Sequence, residues 1–353
     1  MRRRRFLCAA ATLPAWSQGN PGFQLAFRLE PELRIRDMVP DSGDHPLVLA
    51  AGPEGGLLLR NADGEWLRES LPEPALSIAS GHGGFWIAGT SGLWWRPTSG
   101  GKWERRWEGE GLHRVTFVGD NGFAVGEGKT ILATAEDGKW QRVRAADEPT
   151  TNTAHTTYHW IHFTTSRVGI ISGASRPPRK GRTESYPAWL DTDPQSRRKE
   201  WPGASITLET RDGGLTWRHS VTSIFGKISR VRYARNGRGL ALVEFHDAFD
   251  FPSEVFAIDL KKGSSERVFR RKDRAVTDTW IEAGSAFLAA IEPPAPDAPD
   301  RTGKAFLYRS DDLQQWQEFA LPSQAKGTRL WLAGAPNGAI WVAIDTGLVY
   351  RSA

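Results

Sequence analysis

Apolar and polar residues alternate along most of this chain in short runs that are separated by glycine-rich or acidic turns. The stretch 114–140 shows the pattern well, with alternating runs at 115–117 and 123–125 on either side of the turn 120–122. A period of two predicts half-buried strands, and Asp, Asn and Gly are typical turn residues. No stretch keeps the 3.6-residue period of an amphipathic helix. The pattern therefore predicts an all-β chain.

This unit of strands and turns repeats along the chain, and each copy ends in an aromatic residue. The closing residues are Trp66, Trp103, Trp140, Trp217 and Trp316, with Phe269 between the last two. A repeat of four short strands is typical of the blades of a β-propeller. The repeats predict blades that end near residues 72, 108, 149, 223, 273 and 322.

The two ends of the repeat region complement each other. Residues 327–353 contain only three strand patterns, whereas residues 23–29 (FQLAFRL) form a strand with no blade of its own. If the early strand becomes the outer strand of the last blade, the ring closes and leaves no open sheet edge. We therefore predict a seven-bladed β-propeller of four-stranded antiparallel blades, which forms a single domain over residues 19–353.

The first 18 residues have the order of a secretory signal. Four arginines precede a short apolar stretch at 6–14, and small or polar residues follow. Residues 3–7 (RRRFL) also fit the twin-arginine form of such signals. We expect residues 1–18 to be removed and the protein to be exported to the periplasm or the exterior; the alternative is a basic, disordered N-terminus.

Charge, cysteine content and hydropathy argue against a nucleic-acid partner, disulfide bonds and a membrane span. The net charge is +5, and residues 1–18 contribute four arginines and no acid, which leaves the remainder near +1. A balance so close to neutral does not indicate a nucleic-acid-binding protein. Cys8 is the only cysteine, so no disulfide is expected after processing. No apolar run reaches the roughly 20 residues of a membrane span. We expect a monomer with no cofactor and no metal.

The strongest local motif is TRDGGLTW at 210–217. It resembles the Asp box of bacterial neuraminidase repeats, in which S/T-x-D-x-G-x-T-W forms a tight turn. Degenerate copies lie at 61–66, 98–103, 134–140 and 310–316. The resemblance predicts a structural role for five residues, with the carboxylate accepting turn N–H groups and the indole packing between blades. These residues are Thr210, Asp212, Gly214, Thr216 and Trp217.

The stretch 119–140 (GDNGFAVGEGKTILATAEDGKW) resembles propellers related to photosystem II assembly factors. That resemblance implies a non-catalytic scaffold that binds a protein partner. Sialidases share the Asp box, but their R-I-P motif is matched only by LRIRD at 33–37, where Arg36 replaces the proline. Xyloglucanase-like propellers use a pair of carboxylates that has no spacing signature. A carbohydrate-active propeller, either a glycan-binding protein or a glycoside hydrolase, is therefore the alternative.

Three long insertions are expected at one face of the ring. With strands named a to d from the centre outwards, residues 175–204, 246–253 and 292–304 all fall between strands b and c of neighbouring blades. Long loops on a rigid scaffold often bind ligands; the alternative is solvated loops or a lid that packs on the scaffold. The candidate binding residues are Arg179, Arg182, Tyr186, Trp189, Asp191, His246, Asp247 and Asp250.

A histidine cluster, HTTYHWIH, contains His155, His159 and His162. Histidines are common metal ligands. Successive side chains of a strand point to opposite faces, so we expect His159 and His162 to diverge unless a bulge intervenes. The sequence therefore predicts no metal site here.

Overall fold

The computed structural model describes residues 22–41, 43–62, 64–135, 138–143, 149–176, 203–245, 250–282, 284–293 and 301–352. These residues form seven antiparallel blades. The innermost strands of consecutive blades contact one another, and those of the first and last blades meet to close the ring. The described residues contain no α-helix. The predicted all-β, seven-bladed propeller is confirmed.

The first four blades follow one another along the chain. Blade 1 consists of β2 (Arg34–Val39), β3 (Leu47–Gly52), β4 (Gly55–Ala62) and β5 (Glu65–Ser70). Blade 2 consists of β6 (Ala75–Gly81), β7 (Gly84–Gly89), β8 (Gly92–Pro97) and β9 (Glu104–Glu108). Blade 3 consists of β10 (Leu112–Val118), β11 (Asn121–Gly126), β12 (Ile131–Thr134) and β13 (Trp140–Arg142). Blade 4 consists of β14 (Thr156–Phe163), β15 (Gly169–Ser175), β16 (Gly203–Thr210) and β17 (Arg218–Ile224).

The last three blades include the closure of the ring. Blade 5 consists of β18 (Gly226–Tyr233), β19 (Arg238–Phe245), β20 (Ser253–Asp259) and β21 (Ser264–Arg270). Blade 6 consists of β22 (Ala275–Ile281), β23 (Ala286–Ile291), β24 (Gly303–Ser310) and β25 (Gln317–Ala320), with the short β26 (Lys326–Gly327) also paired to β24. Blade 7 consists of β27 (Leu330–Gly334), β28 (Ile340–Ile344), β29 (Leu348–Ser352) and β1 (Phe23–Arg28).

The N-terminal strand closes the ring as predicted. β1 pairs antiparallel with β29, and Leu25 lies opposite Tyr350 in the register. The early strand therefore supplies the outer strand of blade 7. Chain segments from the two ends share one sheet, so the ring cannot open without breaking backbone hydrogen bonds.

Antiparallel order gives the ring two distinct faces. The d–a and b–c connections lie on one face, which we call the top face, and the a–b and c–d turns lie on the bottom face. The connections β15–β16, β19–β20 and β23–β24 are all b–c connections, so they reach the top face from blades 4 to 6, as predicted. Their residues 177–202, 246–249 and 294–300 lie outside the described residues.

The core lies between the blades and not at the centre of the ring. Buried apolar side chains form seven clusters, one for each pair of adjacent blades. The cluster between blades 6 and 7 is the largest, and the one between blades 4 and 5 contains only Ile170, Val231, Tyr233 and Ala241. Partly buried Ile228, Phe256, Ile258 and Leu260 pack against this small cluster.

The closing aromatic residues explain why the repeat was visible in the sequence. Trp140 of blade 3 packs 5.4 Å from Trp86 of blade 2, measured between ring centroids. Trp217 of blade 4 belongs to the same cluster as Phe123 of blade 3. Trp140 and Trp217 thus anchor their blades on the preceding blade through large apolar rings, whereas Phe269 of blade 5 packs with Trp316 in the cluster between blades 5 and 6.

Candidate functional site

The inner strands of six blades carry a β-bulge close to the top face. The register shifts in β2, β6, β10, β14, β18 and β22. A bulge re-aims the following side chain and is common near binding sites. The residues that directly follow the bulges form one layer of mostly polar side chains around the channel. In blade order they are Asp37, Ser77, Arg114, Trp160, Arg230 and Asp278.

Asp37 links three blades within this layer. Its side chain is 1% exposed, and its Oδ2 accepts a hydrogen bond from the Ile78 backbone N–H of blade 2 at 3.1 Å. Its Oδ1 accepts from Nη1 of Arg114 of blade 3 at 2.7 Å. A buried carboxylate needs such partners, because burial of an unpaired charge is strongly unfavourable.

Asp278 plays the same part on the opposite side of the channel. Its Oδ2 accepts from the Leu332 backbone N–H of blade 7 at 2.9 Å. Arg230 and Arg232 of blade 5 each approach its Oδ1 at 3.6 Å. One buried carboxylate therefore faces two buried guanidinium groups, so positive charge exceeds negative charge at this point.

Trp160 gathers the three buried guanidinium groups. Arg114 and Arg230 lie 4.4 and 4.3 Å from the centroid of its ring, and Arg232 lies at 4.8 Å. The indole N–H donates to the carbonyl of Val231 at 2.9 Å. Cation–π attraction holds the arginines near one another although their charges repel.

A concave basin of about 500 Å³ opens above this layer at the top mouth of the channel. We call it the basin. Its charged lining consists of six cationic side chains and two carboxylates. The cations are Arg34, Arg36, Arg114, Lys227, Arg230 and Arg329, and the carboxylates are Asp37 and Asp345.

Glu244 at the end of β19 adjoins the basin and binds two of its cations. It lies 3.4 Å from Lys227 and 3.3 Å from Arg329. Burial acts to raise the pKa of Glu244, but Arg329, Lys227 and Arg230 together lower it. Burial, with Arg329 nearby, lowers the pKa of Arg230 to about 9. Among the described residues, cations therefore outnumber carboxylates at the basin, although residues 19–353 have a net charge near +1.

The two strand histidines face the same neighbouring blade, because a bulge, the stated exception to their expected divergence, is present. The bulge between Tyr158 and Trp160 changes the alternation at His159. Nε2 of His159 lies 2.9 Å from the carbonyl of Ile228, and Nε2 of His162 lies 3.2 Å from the carbonyl of Tyr233. Both carbonyls belong to β18. Burial lowers the pKa of His159 to about 3 and that of His162 to about 4, so neutral rings donate to these carbonyls.

These histidines do not meet other potential metal ligands. In the described part of the chain, no group of three or more His, Cys, Asp and Glu is placed to hold a metal ion. His155 lies in a short 3-10 helix, Thr153–His155, away from the strand positions.

Most candidate residues in the long connections lie outside the described residues. Asp250 is described: it is exposed and lies 3.1 Å from Lys272, and it does not line the basin. The candidates that fall outside the description are Arg179, Arg182, Tyr186, Trp189, Asp191, His246 and Asp247. Their roles remain predictions.

The turn at 210–217 lies on the bottom face and is closed by its own side chains. Oδ1 of Asp212 accepts from the Thr216 backbone N–H at 3.0 Å, and Oδ2 accepts from the Thr216 hydroxyl. The Thr210 hydroxyl donates to Asp212 and accepts from the Gly214 N–H at 2.8 Å. The Trp217 indole donates to the Gly214 carbonyl. Hydrogen bonds from Thr216, with that from Thr210, lower the pKa of Asp212 to about 2.

A degenerate copy on blade 6 has a similar arrangement. Oδ1 of Asp312 accepts from the Ser310 hydroxyl at 2.9 Å and from the backbone N–H groups of Gln314 and Gln315. Leu313 is held at a φ of 69°, a left-handed conformation that is uncommon for leucine. In both turns the carboxylate therefore accepts from a hydroxyl two residues before it and from backbone N–H groups that follow it.

The bottom face also has an open groove of about 1210 Å³ between blades 3 and 4. Its lining includes Leu215, which is 81% exposed at the tip of the turn. The charged residues of this groove are mixed in sign and include Asp120, Lys139 and Asp212. The groove therefore lacks the excess of cations found in the lining of the basin.

Comparisons with known proteins identify the fold. No protein-family model matches the chain, and no curated protein matches it in sequence. The structure is similar to PorZ, a surface component of the type-IX secretion system of Porphyromonas gingivalis, with a TM-score of 0.60, 13% identity, and coverage of 93% of this chain and 48% of that one.

Two further structures give the same result. The extracellular domain of a putative one-component system from B. thetaiotaomicron has a TM-score of 0.58, 11% identity, and coverage of 94% and 40%. An oligogalacturonate lyase from Vibrio parahaemolyticus has a TM-score of 0.56, 8% identity, and coverage of 95% and 94%. The chain spans less than half the length of the first two proteins. Identities this low show a β-propeller fold and nothing finer.

Among the described residues, no helix is long and apolar enough to cross a membrane.

Proposed function

We propose that this chain is an exported, non-catalytic propeller that binds a protein partner on its top face. The observation that carries the proposal is the basin of about 500 Å³, which opens on the same face as the three long connections of blades 4 to 6. Ligand sites are commonly concave, and loops on a rigid scaffold commonly supply specificity.

The described residues of the basin favour binding over hydrolysis. A glycoside hydrolase needs two carboxyl groups that converge on the substrate, one of which donates a proton. The carboxylates that line the basin already serve the protein itself. Asp37 accepts from Ile78 and Arg114, and Asp345 accepts from the backbone N–H of Thr328 and from its hydroxyl. Both oxygens of each carboxylate already accept hydrogen bonds within the protein.

Export is part of the proposal. It is supported by the signal-like order of residues 1–18 and by structural neighbours that are described as an extracellular domain and a bacterial surface component. A reporter fused behind residues 1–18 should leave the cytoplasm. Substitution of Arg3 and Arg4 by Lys should block its export if the twin-arginine route is used.

Site-specific crosslinking tests the binding face. A photo-crosslinking amino acid at Leu76, which is 52% exposed on the rim of the basin, should capture one partner protein in the native cells. The same group at Leu215 on the bottom face should capture none. Capture only from Leu215 would show that the partner binds the bottom face and would contradict the proposal. Binding of a polysaccharide with no protein capture from Leu76 would favour the carbohydrate-active alternative.

A further inference from the structure

We propose that the basin receives the carboxylates of an acidic peptide segment. The inference rests on the proposed function in taking the partner to be a protein, and it names the chemistry of the partner's contact. It follows from three observations at the channel mouth: a surplus of cations, guanidinium Nε atoms without a hydrogen-bond partner in the described residues, and the burial of both tryptophan rings of the basin.

The cation surplus includes two arginines that have no counter-ion in the described part of the chain. Arg34 and Arg36 are exposed at the start of β2 and line the basin. No ion pair within the described ranges involves either of them, whereas Lys227 and Arg329 share Glu244. Uncompensated cations in a concave site attract anions and orient their approach.

The floor of the basin has guanidinium donors without a hydrogen-bond partner in the described residues. The Nε atoms of Arg114 and Arg230, which line the basin, and of the neighbouring Arg232 are buried and make no hydrogen bond to a described residue, although that of Arg230 lies 3.6 Å from Oδ1 of Asp278. Buried donors without partners are rare in folded proteins and call for an explanation. An added carboxylate near Arg114 or Arg230 would supply acceptors and offset the repulsion among the three guanidinium groups.

The aromatic residues of the basin favour a peptide over a sugar. A pyranose ring typically stacks on an exposed aromatic face, but Trp160 is 2% exposed and Trp331 is 5% exposed. Guanidinium groups already cover the Trp160 ring. The exposed apolar side chain on the rim is Leu76, which suits an apolar residue next to the acidic ones in a peptide.

Peptide titration tests the inference. The probe is fluorescein-labelled hexaglutamate, with hexaglutamine as its neutral control, measured by anisotropy in low and in physiological salt. The double variant Arg34→Glu with Arg36→Glu should weaken hexaglutamate binding at least about tenfold, because the basin then loses its unpaired cations. Both side chains are exposed, so the fold should survive.

The matched control reverses the same charge on the other face. Arg211 and Arg235 are exposed on bottom-face turns, and the double variant Arg211→Glu with Arg235→Glu should bind hexaglutamate within about twofold of the unmodified protein. Equal losses in the two double variants would mean general attraction to a basic protein and would overturn the inference. Absence of hexaglutamate binding to the unmodified protein would overturn it as well.

Competing anions identify the source of the negative charge. Trigalacturonate and inorganic phosphate are titrated in the same way, and tighter binding of either would replace the acidic peptide as the ligand. The crosslinking result separates this inference from the proposed function. If capture from Leu76 persists when Arg34 and Arg36 are reversed, the partner binds the top face, but the basin does not hold its carboxylates.

Discussion

The bottom-face turn of blade 4 and the top-face basin both use buried or hydrogen-bonded carboxylates, but the partners of these carboxylates lie at very different distances along the chain. In the turn, Asp212 bonds to residues two and four positions away, so every contact is local. In the basin, Asp37 bonds to Arg114, which is 77 residues away, and Arg329 reaches Glu244 across 85 residues. The hydrogen bonds of the turn are made within one octapeptide, whereas those of the basin form only when several blades are assembled.

The contrast separates what stabilises the fold from what the fold offers to a ligand. A turn whose donors and acceptors are paired has no further capacity for binding. Within the described ranges, the basin holds more cations than carboxylates, and buried guanidinium Nε atoms have no hydrogen-bond acceptor. Proteins often accept such unresolved charge at functional sites. Changes to the two regions should therefore differ in what they affect.

The largest effect is expected at Asp278. Replacement by Asn keeps an acceptor for the Leu332 N–H but leaves Arg230 and Arg232 without their carboxylate. Removing one partner of a buried ion pair costs about 3–5 kcal/mol of unfolding free energy. Urea denaturation measures the loss. The exposed pair of Asp311 with Arg309 provides the control, and Asp311→Asn should cost at most about 1 kcal/mol. Similar losses for both variants would show that the buried ion pairs of the channel contribute no more to stability than an exposed pair.

The next effect concerns the bottom turn. Thr210 is 1% exposed, and Thr210→Val removes the acceptor of the buried Gly214 N–H while its shape is kept. An unsatisfied buried donor costs about 1–3 kcal/mol. Asp212→Ala should also lower the melting temperature, because the Thr216 N–H loses its acceptor. Neither variant should change hexaglutamate binding, since the turn lies on the other face. Lost binding at unchanged stability would contradict the separation of the two faces.

Much of the fold could be predicted from the sequence, because its signals are local or repeat in register. The Asp-box turn lies within one octapeptide, and the closing tryptophans recur in phase with the strands. Ring closure followed from one missing strand and one surplus strand. Each of these features needs only the order of residues along the chain.

The basin could not be predicted in the same way. The net charge near +1 of residues 19–353 gave no sign of it, because acids elsewhere in the chain balance the cations that the channel concentrates. Arg36 was noticed only as a mismatch to a motif, and the bulges that aim Arg114 and Arg230 into the channel have no local signature. Alignment of the inner strands of the blades at one level could have placed Asp37 and Asp278 in a single layer.

A pH effect is expected on the side of the basin formed by blades 4 and 5. The folded-state pKa of His159 is about 3, below its ordinary value of 6.5. The unfolded chain therefore takes up a proton below pH 6.5 while the folded ring stays neutral, so stability is lost as the pH falls.

For His159 alone the loss between pH 7 and pH 5 amounts to about 1–2 kcal/mol. His159→Gln keeps a donor for the Ile228 carbonyl but does not titrate, so its urea midpoint should fall less over this range. His219 is exposed on β17, and His219→Gln should retain the pH dependence of the unmodified protein. An unchanged pH dependence in His159→Gln would show that the ring is protonated in the folded state.

The smallest effect on stability is expected for Trp189→Ala in the long connection of blade 4. We predict that Trp189 contributes to partner binding and not to the blade framework, because it falls within an insertion between β15 and β16. The melting temperature should change by less than about 1 °C, as for substitutions away from core and turn contacts. Crosslinking to the partner from Leu76 should weaken, whereas hexaglutamate binding in the basin should stay the same. Such a result would show that the long connections and the basin are separate contact regions of the top face. A large fall in melting temperature would instead mean that the insertion packs on the propeller as part of its core.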